Sequence, residues 1–361
     1  MAYFERSTFT LFTGGTVDIT VHEVAANGKL RELHKATGGC WGGTTIDKAF
    51  LDLLDNIVGQ KVMKLFRDEN QDDFIDMMRD FEVRKRSIEP RLESKVTFRI
   101  PIRLYELYGE MNEGQQLREE VRKHPTLSGK VTLTGDKMRV NPETVKELFT
   151  ATSDNIAKHI EDIFSNPVAN GTSTILMVGG FSESPMLQDA IRKAFPNKIV
   201  ITPHDAGLAV LKGAVIFGHK SDEIVSRIAK YSYGLKCWST FDPSKHPRDR
   251  MVIENGKQQV RGTFSKLVEV GESVSPDSPS KPRGFLPVGE AYSFTIKLYA
   301  SPRSDPIFVD EEDCWLVGEV SVDCNDRKGA DVSLVFGGTE LEVIAVDKRG
   351  QRTTAQFNFL N

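Results

Sequence analysis

The segment from Thr174 to Gly218 constrains the fold more than any other part of this sequence. Two short apolar runs alternate in it with two amphipathic runs, in the order strand Thr174–Val178, helix Met186–Phe195, strand Lys198–Ile201 and helix Asp205–Gly218. Gly179-Gly180 ends the first strand, and Ser184-Pro185 begins the helix that follows. Strands that alternate with helices at this spacing predict an α/β fold with a parallel sheet.

The sequence upstream of this segment predicts a hairpin, several helices and further strands. Val17–Val24 alternates apolar and polar residues, and Asn27-Gly28 is a strong signal for a tight turn. The other predicted elements are strands over Ser7–Phe12, Lys29–Ala36, Lys95–Leu104 and Lys130–Thr134, a helix over Thr44–Ile57, a charged helical segment over 60–89 and a helix from Asn141 to about Phe164.

The sequence changes character after about residue 230, where helical periodicity disappears. Short apolar runs then alternate with turns, at Leu267–Val270, Tyr292–Tyr299, Cys314–Val322, Val332–Phe336, Leu341–Val346 and Thr353–Phe359. Five or more short strands at this spacing predict a β-sandwich, with Glu272–Gly284 as a mobile loop between strands. Since 361 residues suffice for more than one core, we predict two domains, over 1–225 and 226–361.

Charge and hydropathy exclude several classes of protein. The net charge of -4 is spread along the chain, so the sequence predicts no nucleic-acid groove. No window approaches the roughly 18 apolar residues of a membrane helix, and the first residues lack the pattern of a signal peptide. The cysteines form no CxxC pair, which disfavours zinc and a disulfide framework: Cys40, Cys237, Cys314 and Cys324. We expect a cytoplasmic protein without membrane insertion, nucleic-acid partners or metal ligands.

Three short motifs have residue types suited to binding a phosphate or a flat polar ligand. The glycines of Gly14–Thr16 let the backbone approach a phosphate closely, and the threonine adds a hydroxyl. Gly179–Ser182 precedes a helix N-terminus with free amides. Helical spacing places Glu82 beside Lys85 and Arg86. Taken singly, each motif also fits a plain structural role, as a tight turn, a strand–helix connection or a surface ion-pair cluster.

In combination and in this order, the motifs resemble the second lobe of the seventy-kilodalton heat-shock protein family of DnaK-type chaperones, in the actin and sugar-kinase superfamily. The resemblance lies in GGTVDITV, GGTTID, EVRKR, GGFSESP and PHDAGLAVLKGA, and in the tail in FSKLVEVGESV, FTIKLYA and LEVIAVDKRG. The strings GGTVDITVHEV and LKGAVIFGH and the tryptophan after GGC are similar to the divergent type-12 branch. The implied fold is an α/β actin-like ATPase lobe (incomplete, second lobe) followed by an all-β sandwich resembling a substrate-binding domain.

The resemblance also implies a ligand, ATP or ADP, and leaves an accompanying Mg²⁺ open. It assigns candidate binding residues by motif: Gly14, Gly15 and Thr16 to the β- and γ-phosphates, Gly42 and Gly43 to the ribose face, Glu82, Lys85 and Arg86 to the ribose and adenine, and Gly179, Gly180 and Ser182 to the adenosine floor. It assigns no catalytic residue and no metal ligand. The register of 204–209 is ambiguous, so no contact is assigned there.

Four departures from the family pattern predict weak or absent ATPase activity. Leu11 stands where the family has an aspartate that orients the magnesium shell, and Thr13 stands where it has a glycine. Glu183 occupies a position that is often arginine, which removes a stacking cation. Only about ten residues precede the GGT element, so the family's first lobe, with its phosphate loop and lysine, is missing from this sequence.

Two functional hypotheses stay open. The first is a nucleotide-binding chaperone-like protein of the stress response, whose sequence is either N-terminally truncated or a genuine short form. The second is a non-enzymatic module that binds unfolded or extended polypeptides on a degenerate nucleotide-binding scaffold. A sugar kinase or actin relative is disfavoured by the β-rich tail. An apolar patch around Ser7–Phe12 and the GGT turn predicts self-association.

Overall fold

A computed structural model describes residues 6–12, 14–220, 223–276, 278–287, 292–323, 328–337 and 340–358 of the chain. For residues 6–12 the description covers the backbone. Thr13, Cys324 and the side chain of Leu11, which the sequence interpretation uses, therefore lie outside the described part. The side chains of the predicted apolar patch at Ser7–Phe12 lie outside it as well, so self-association through that patch stays a prediction.

The described residues form a mixed α/β structure with several sheets. The helices are α1 (Gly43–Val58), α2 (Gln60–Glu69), α3 (Gln71–Ser87), α4 (Ile102–Met111), α5 (Leu117–Lys123), α6 (Pro142–Phe164), α7 (Pro185–Ala194) and α8 (Ala206–His219). None of them combines the length and the apolar character that crossing a bilayer requires.

The strands follow the chain in two groups, before and after α8. The first group is β1 (Arg6–Phe12), β2 (Val17–Val24), β3 (Leu30–Gly39), β4 (Val96–Arg99), β5 (Val131–Thr134), β6 (Lys137–Val140), β7 (Thr174–Val178) and β8 (Ile199–Ile201). The second group is β9 (Ile224–Ile228), β10 (Ser232–Thr240), β11 (Met251–Glu254), β12 (Lys257–Val268), β13 (Ser273–Val274), β14 (Arg283–Phe285), β15 (Ser293–Ser301), β16 (Trp315–Asp323), β17 (Ala330–Val335), β18 (Glu340–Asp347) and β19 (Arg352–Asn358).

The chain divides into two compact units. The helical unit consists of Arg6–Ile19 and Thr37–Ala214. The β-rich unit contains Thr20–Ala36 and the described residues from Val215 onward. This division groups the middle of the hairpin with the tail, whereas the sequence interpretation ends its first domain at residue 225.

The helical unit has the predicted alternation of strands and helices around parallel pairing. β1 pairs parallel with β7, with Ser7 opposite Thr174, and β7 pairs parallel with β8. The apolar stripe of α1 is buried, and Phe50 stacks on Phe81 of α3 with ring centroids 4.0 Å apart. This contact fixes α1 against α3 and so brings the start of one helix near the end of the other.

One prediction for the helical unit is corrected by the structure. The predicted strand Lys95–Leu104 ends at Arg99, and Pro101 then begins α4. Leu104, Leu107 and Tyr108 are buried and lie at positions i, i+3 and i+4, which is the spacing of one helix face. The helical prediction over 60–89 is confirmed, as α2 and α3, which are separated where the backbone at Asn70 leaves the helical region (φ -129°, ψ 55°).

The β-rich unit contains two antiparallel sheets with a shared buried cluster. Their strand orders are β11-β12-β10-β15-β16 and β14-β17-β18-β19. Tyr233 and Leu298 of the first sheet and Leu334 and Val343 of the second belong to this cluster. Of the predicted strand Leu267–Val270, the first two residues are the end of the longer β12. The predicted loop over 272–284 contains β13 and the start of β14.

Candidate functional site

A cavity of about 420 Å³ lies in the helical unit. Its wall is built from three helices and two turns: Gly14 of the β1–β2 turn, Gly43, Thr44 and Asp47 of α1, Glu82, Lys85 and Arg86 of α3, Phe149 of α6, and Gly180, Phe181, Glu183 and Ser184 of the turn between β7 and α7. Binding sites for small ligands usually measure roughly 300–1,000 Å³, so the cavity has a suitable size.

Lys85 is the buried cation of this wall, with only 7% of its surface exposed. Its Nζ lies 2.6 Å from Oδ1 of Asp47 and 2.5 Å from Oε2 of Glu82. It also donates a hydrogen bond to the carbonyl oxygen of Gly43, at 3.3 Å. A buried ammonium group must be paired to be tolerated, and here the partners come from both helices. Lys85 therefore joins the end of α3 to the start of α1.

Glu82 is held in its ionised form by two neighbouring cations. Arg86 Nε donates to its Oε1 at 2.8 Å, and Lys85 contacts the other carboxylate oxygen. Burial acts to raise the pKa of Glu82, but the hydrogen bonds and charges of Lys85 and Arg86 outweigh it and leave the pKa below its ordinary value. The Arg86 side chain itself is 74% exposed, and it lines the cavity.

Two glycine segments meet at the N-terminus of α1. Thr44 donates its backbone N–H to the carbonyl oxygen of Gly14 at 2.7 Å, and Gly42 donates to that of Gly15 at 3.2 Å. A Cβ on Gly42 would lie 2.5 Å from the carbonyl carbon of Gly15. Glycine at position 42 therefore permits the close approach, while Gly14, Gly15 and Thr16 keep an exposed outer face.

The turn between β7 and α7 forms the opposite wall. Gly179 has a φ of 92°, which favours glycine, and its N–H donates to the carbonyl oxygen of Ala206 at 2.7 Å. Ser182 is fully buried, and its hydroxyl donates to the carbonyl oxygen of Gly179 at 2.6 Å. These two residues hold the turn in shape. Gly180 and Glu183, which lie between and after them, line the cavity.

The structure brings together part of the predicted site. Six of the predicted residues line the cavity: Gly14, Gly43, Glu82, Lys85, Arg86 and Gly180. The others lie in the same segments without lining it: Gly15, Thr16, Gly42, Gly179 and Ser182. For all eleven predicted residues, contact with a ligand stays a prediction.

The structure adds lining residues that the sequence interpretation did not assign to a ligand: Thr44, Asp47, Phe149, Phe181, Glu183 and Ser184. Asp47 carries a signal in the sequence, because it lies one helical turn after Gly43 in the string GGTTID. Phe149 has no such sequence signal, because α6 is distant in sequence from the other lining segments and the residue is part of an ordinary apolar stripe.

The cavity residues do not supply a protein-ligated magnesium site. The carboxylates of Asp47 and Glu82 face Lys85 and are paired with it. Among the described residues, no group of three or more His, Cys, Asp or Glu side chains is arranged to hold a metal ion. Magnesium prefers oxygen ligands that are free of such pairing.

Comparison with known proteins gives a consistent set of relatives. The chain is 30% identical over 345 residues to heat shock 70 kDa protein 12A of Mus musculus and of Homo sapiens, matching 92% of this chain and 51% of each relative. It is 30% identical over 366 residues to heat shock 70 kDa protein 12B of Homo sapiens, matching 96% of this chain and 53% of that protein. No family model matches. The chain thus spans about half the length of these curated relatives. The similarity supports membership in a family like that of the seventy-kilodalton heat-shock proteins.

Proposed function

We propose, on the premise of a family like the seventy-kilodalton heat-shock proteins, that this chain binds a purine nucleotide, ATP or ADP, in the cavity of its helical unit. The observation that carries the proposal is the buried Lys85, shared between Asp47 and Glu82 at the wall of a cavity of about 420 Å³. Gly43 and Gly180 offer bare backbone on either side of the cavity, where a flat ligand can approach closely.

The charges of the wall favour the nucleoside part of the ligand over its phosphates. Three carboxylates (Asp47, Glu82, Glu183) line the cavity against two cations (Lys85, Arg86), so an anion inside would meet excess negative charge. Ribose hydroxyls donate hydrogen bonds that carboxylates accept. The three protons of Lys85 are engaged by Asp47, Glu82 and the carbonyl oxygen of Gly43, so the lysine holds the two carboxylates in place. We therefore assign the ribose to the α1–α3 side and the base to the β7–α7 turn.

The exposed turn Gly14–Thr16 is the proposed position of the phosphates. It lies against the N-terminus of α1, where Gly42 and Thr44 donate their backbone N–H groups to the carbonyl oxygens of Gly15 and Gly14. A helix N-terminus carries a partial positive charge from its aligned peptide dipoles, and this charge attracts phosphate. The proposed ligand thus enters with its base toward Gly180 and its phosphates toward Gly14.

We propose that hydrolysis is weak or absent and that the chain acts through binding. Phosphoryl transfer depends on positioned charge around the phosphates, and Asp47 and Glu82 are both engaged by Lys85. In this proposal the helical unit is the second lobe of an actin-like ATPase fold, and the parallel ladder β1-β7-β8 supports it. The buried cluster shared by the two sheets of the β-rich unit supports a sandwich.

A groove in the β-rich unit favours a second candidate function, the binding of extended polypeptides. Its volume is about 1060 Å³, and its lining mixes aromatic, apolar and charged side chains, among them Trp238, Phe264, Phe294, Ile307 and Arg283. Such a lining suits a peptide with alternating apolar side chains. This candidate corresponds to a chaperone-like role and is independent of nucleotide.

Calorimetric titration of the chain with ADP and ATP, with and without Mg²⁺, tests the proposal. We expect a micromolar dissociation constant for ADP that changes by less than about threefold when Mg²⁺ is added, because Asp47 and Glu82 are already paired with Lys85. ATP should bind without release of phosphate over the experiment. An absence of heat with both nucleotides up to millimolar concentration would contradict nucleotide binding and leave the peptide groove as the functional candidate.

A further inference from the structure

Ser184 is a buried serine whose hydroxyl makes no hydrogen bond. It lies at the N-cap position of α7, directly before Pro185, where a serine side chain usually accepts from a backbone amide of the first helical turn. Its hydroxyl makes no such cap, and it has no other hydrogen-bond partner in the described residues. The residue is 8% exposed and lines the cavity.

A buried hydroxyl without a partner is costly, so Ser184 needs an explanation beyond capping. A serine hydroxyl can occupy three staggered positions about its Cα–Cβ bond, and Ser184 lines the cavity. There it can donate one hydrogen bond and accept others. The neighbouring Ser182 shows the contrast, because its hydroxyl is fully used by the carbonyl oxygen of Gly179.

Glu183 gives the same wall a fixed carboxylate. Its Oε1 accepts the backbone N–H of Gly207 at 3.1 Å, which anchors the side chain, and the residue lines the cavity. A carboxylate oxygen has capacity for more than one hydrogen bond. Two adjacent residues therefore present one strong acceptor and one hydroxyl at the end of the cavity assigned to the base.

We propose that Glu183 and Ser184 together read the edge of an aminopurine base. In this inference, which depends on the proposed nucleotide binding, the exocyclic amino group donates to the Glu183 carboxylate and the Ser184 hydroxyl donates to the adjacent ring nitrogen. The pairing matches adenine, whose amino group lies beside an acceptor nitrogen. Hypoxanthine has a carbonyl oxygen in place of the amino group, and that oxygen would face the carboxylate with like partial charge.

Titrations with ADP and inosine 5′-diphosphate, which differ in this group, test the inference on the full chain. The unchanged protein should bind ADP roughly tenfold more tightly, since a hydrogen bond to a charged acceptor is lost with the inosine compound. Glu183→Gln keeps an oxygen for Gly207 and offers an amide NH₂ to the base. It should therefore remove or reverse the preference.

Ser184→Ala separates a ligand-binding role from a structural one. This substitution should weaken the binding of ADP about fivefold, which is the loss expected for one neutral hydrogen bond. It should also leave the melting temperature of the ligand-free protein unchanged or slightly higher, because an unpartnered buried hydroxyl is removed. Ser165→Ala, which changes a hydroxyl bonded to the carbonyl oxygen of Glu161 outside the cavity lining, is the matched control and should not change ADP affinity.

The outcomes distinguish this inference from the proposed function. The base-reading edge would be overturned if ADP and inosine 5′-diphosphate bound with equal affinity, or if neither Ser184→Ala nor Glu183→Gln changed binding. Either result would leave nucleotide binding intact. No binding of either nucleotide would overturn both. Loss of the ADP preference in Glu183→Gln together with weaker ADP binding in Ser184→Ala, both without loss of stability, would support the edge.

Discussion

Replacing Lys85 with methionine should lower the free energy of unfolding by about 2 kcal/mol. Methionine fills a similar volume but leaves the carboxylate of Asp47 without the cation that lies 2.6 Å away. Removing one partner of a fully buried pair costs roughly 3–5 kcal/mol. The side chains of Asp47 and Glu82 are 26% and 40% exposed, so water offsets part of that cost.

Urea denaturation of the two proteins measures this difference. Lys64→Met, which replaces an exposed lysine on α2, is the matched control and should change stability by less than about 0.5 kcal/mol. The double variant Lys85→Met with Asp47→Asn should be more stable than Lys85→Met alone, because the uncompensated charge is gone. Equal stabilities of Lys85→Met and the unchanged protein would show that Lys85 does not join α1 to α3.

Replacing Gly42 with alanine should lower the free energy of unfolding by about 2 kcal/mol and weaken the binding of ADP roughly tenfold. The added methyl group would lie 2.6 Å from the carbonyl oxygen of Gly14 and 2.5 Å from the carbonyl carbon of Gly15. Both neighbours are backbone atoms, so a side-chain rotation cannot relieve the clash. The β1–β2 turn must shift, and the proposed phosphate position shifts with it.

Gly213→Ala is the matched control for this glycine. Gly213 lies in α8, and a Cβ added to it would meet nothing within 4 Å. Alanine also has a higher helix propensity than glycine. We expect stability that is unchanged or slightly higher, with unchanged ADP affinity, in the same denaturation and calorimetric measurements. An effect of Gly42→Ala no larger than that of Gly213→Ala would contradict the close approach of the two glycine segments.

The elements of the helical unit were predictable where the sequence carries local signals. The apolar run of β7 has the bounds that the sequence indicates, and the predicted hairpin strand Val17–Val24 is β2. The error at Lys95–Leu104 has a local cause, because a strand-like run passes through Pro101 into a helical period. Alternation over a few residues does not reveal such a change until the following turn is included.

The site was less predictable than the fold, because its contacts join residues distant in sequence. The pairing of Glu82 with Arg86 follows from helical spacing, whereas that of Lys85 with Asp47 depends on how α3 packs against α1. Ser184 was predictable as the residue before a helix. That its hydroxyl makes no cap follows only from its side-chain conformation.

Hydrogen exchange of backbone amides, with and without ADP, tests most directly whether the cavity of the helical unit is the nucleotide site. We predict slower exchange in ADP at two separate segments, the end of α3 around Glu82–Arg86 and the turn Gly180–Ser184, because the ligand contacts both walls. Protection confined to residues from Val215 onward, with these two segments unchanged, would contradict the account.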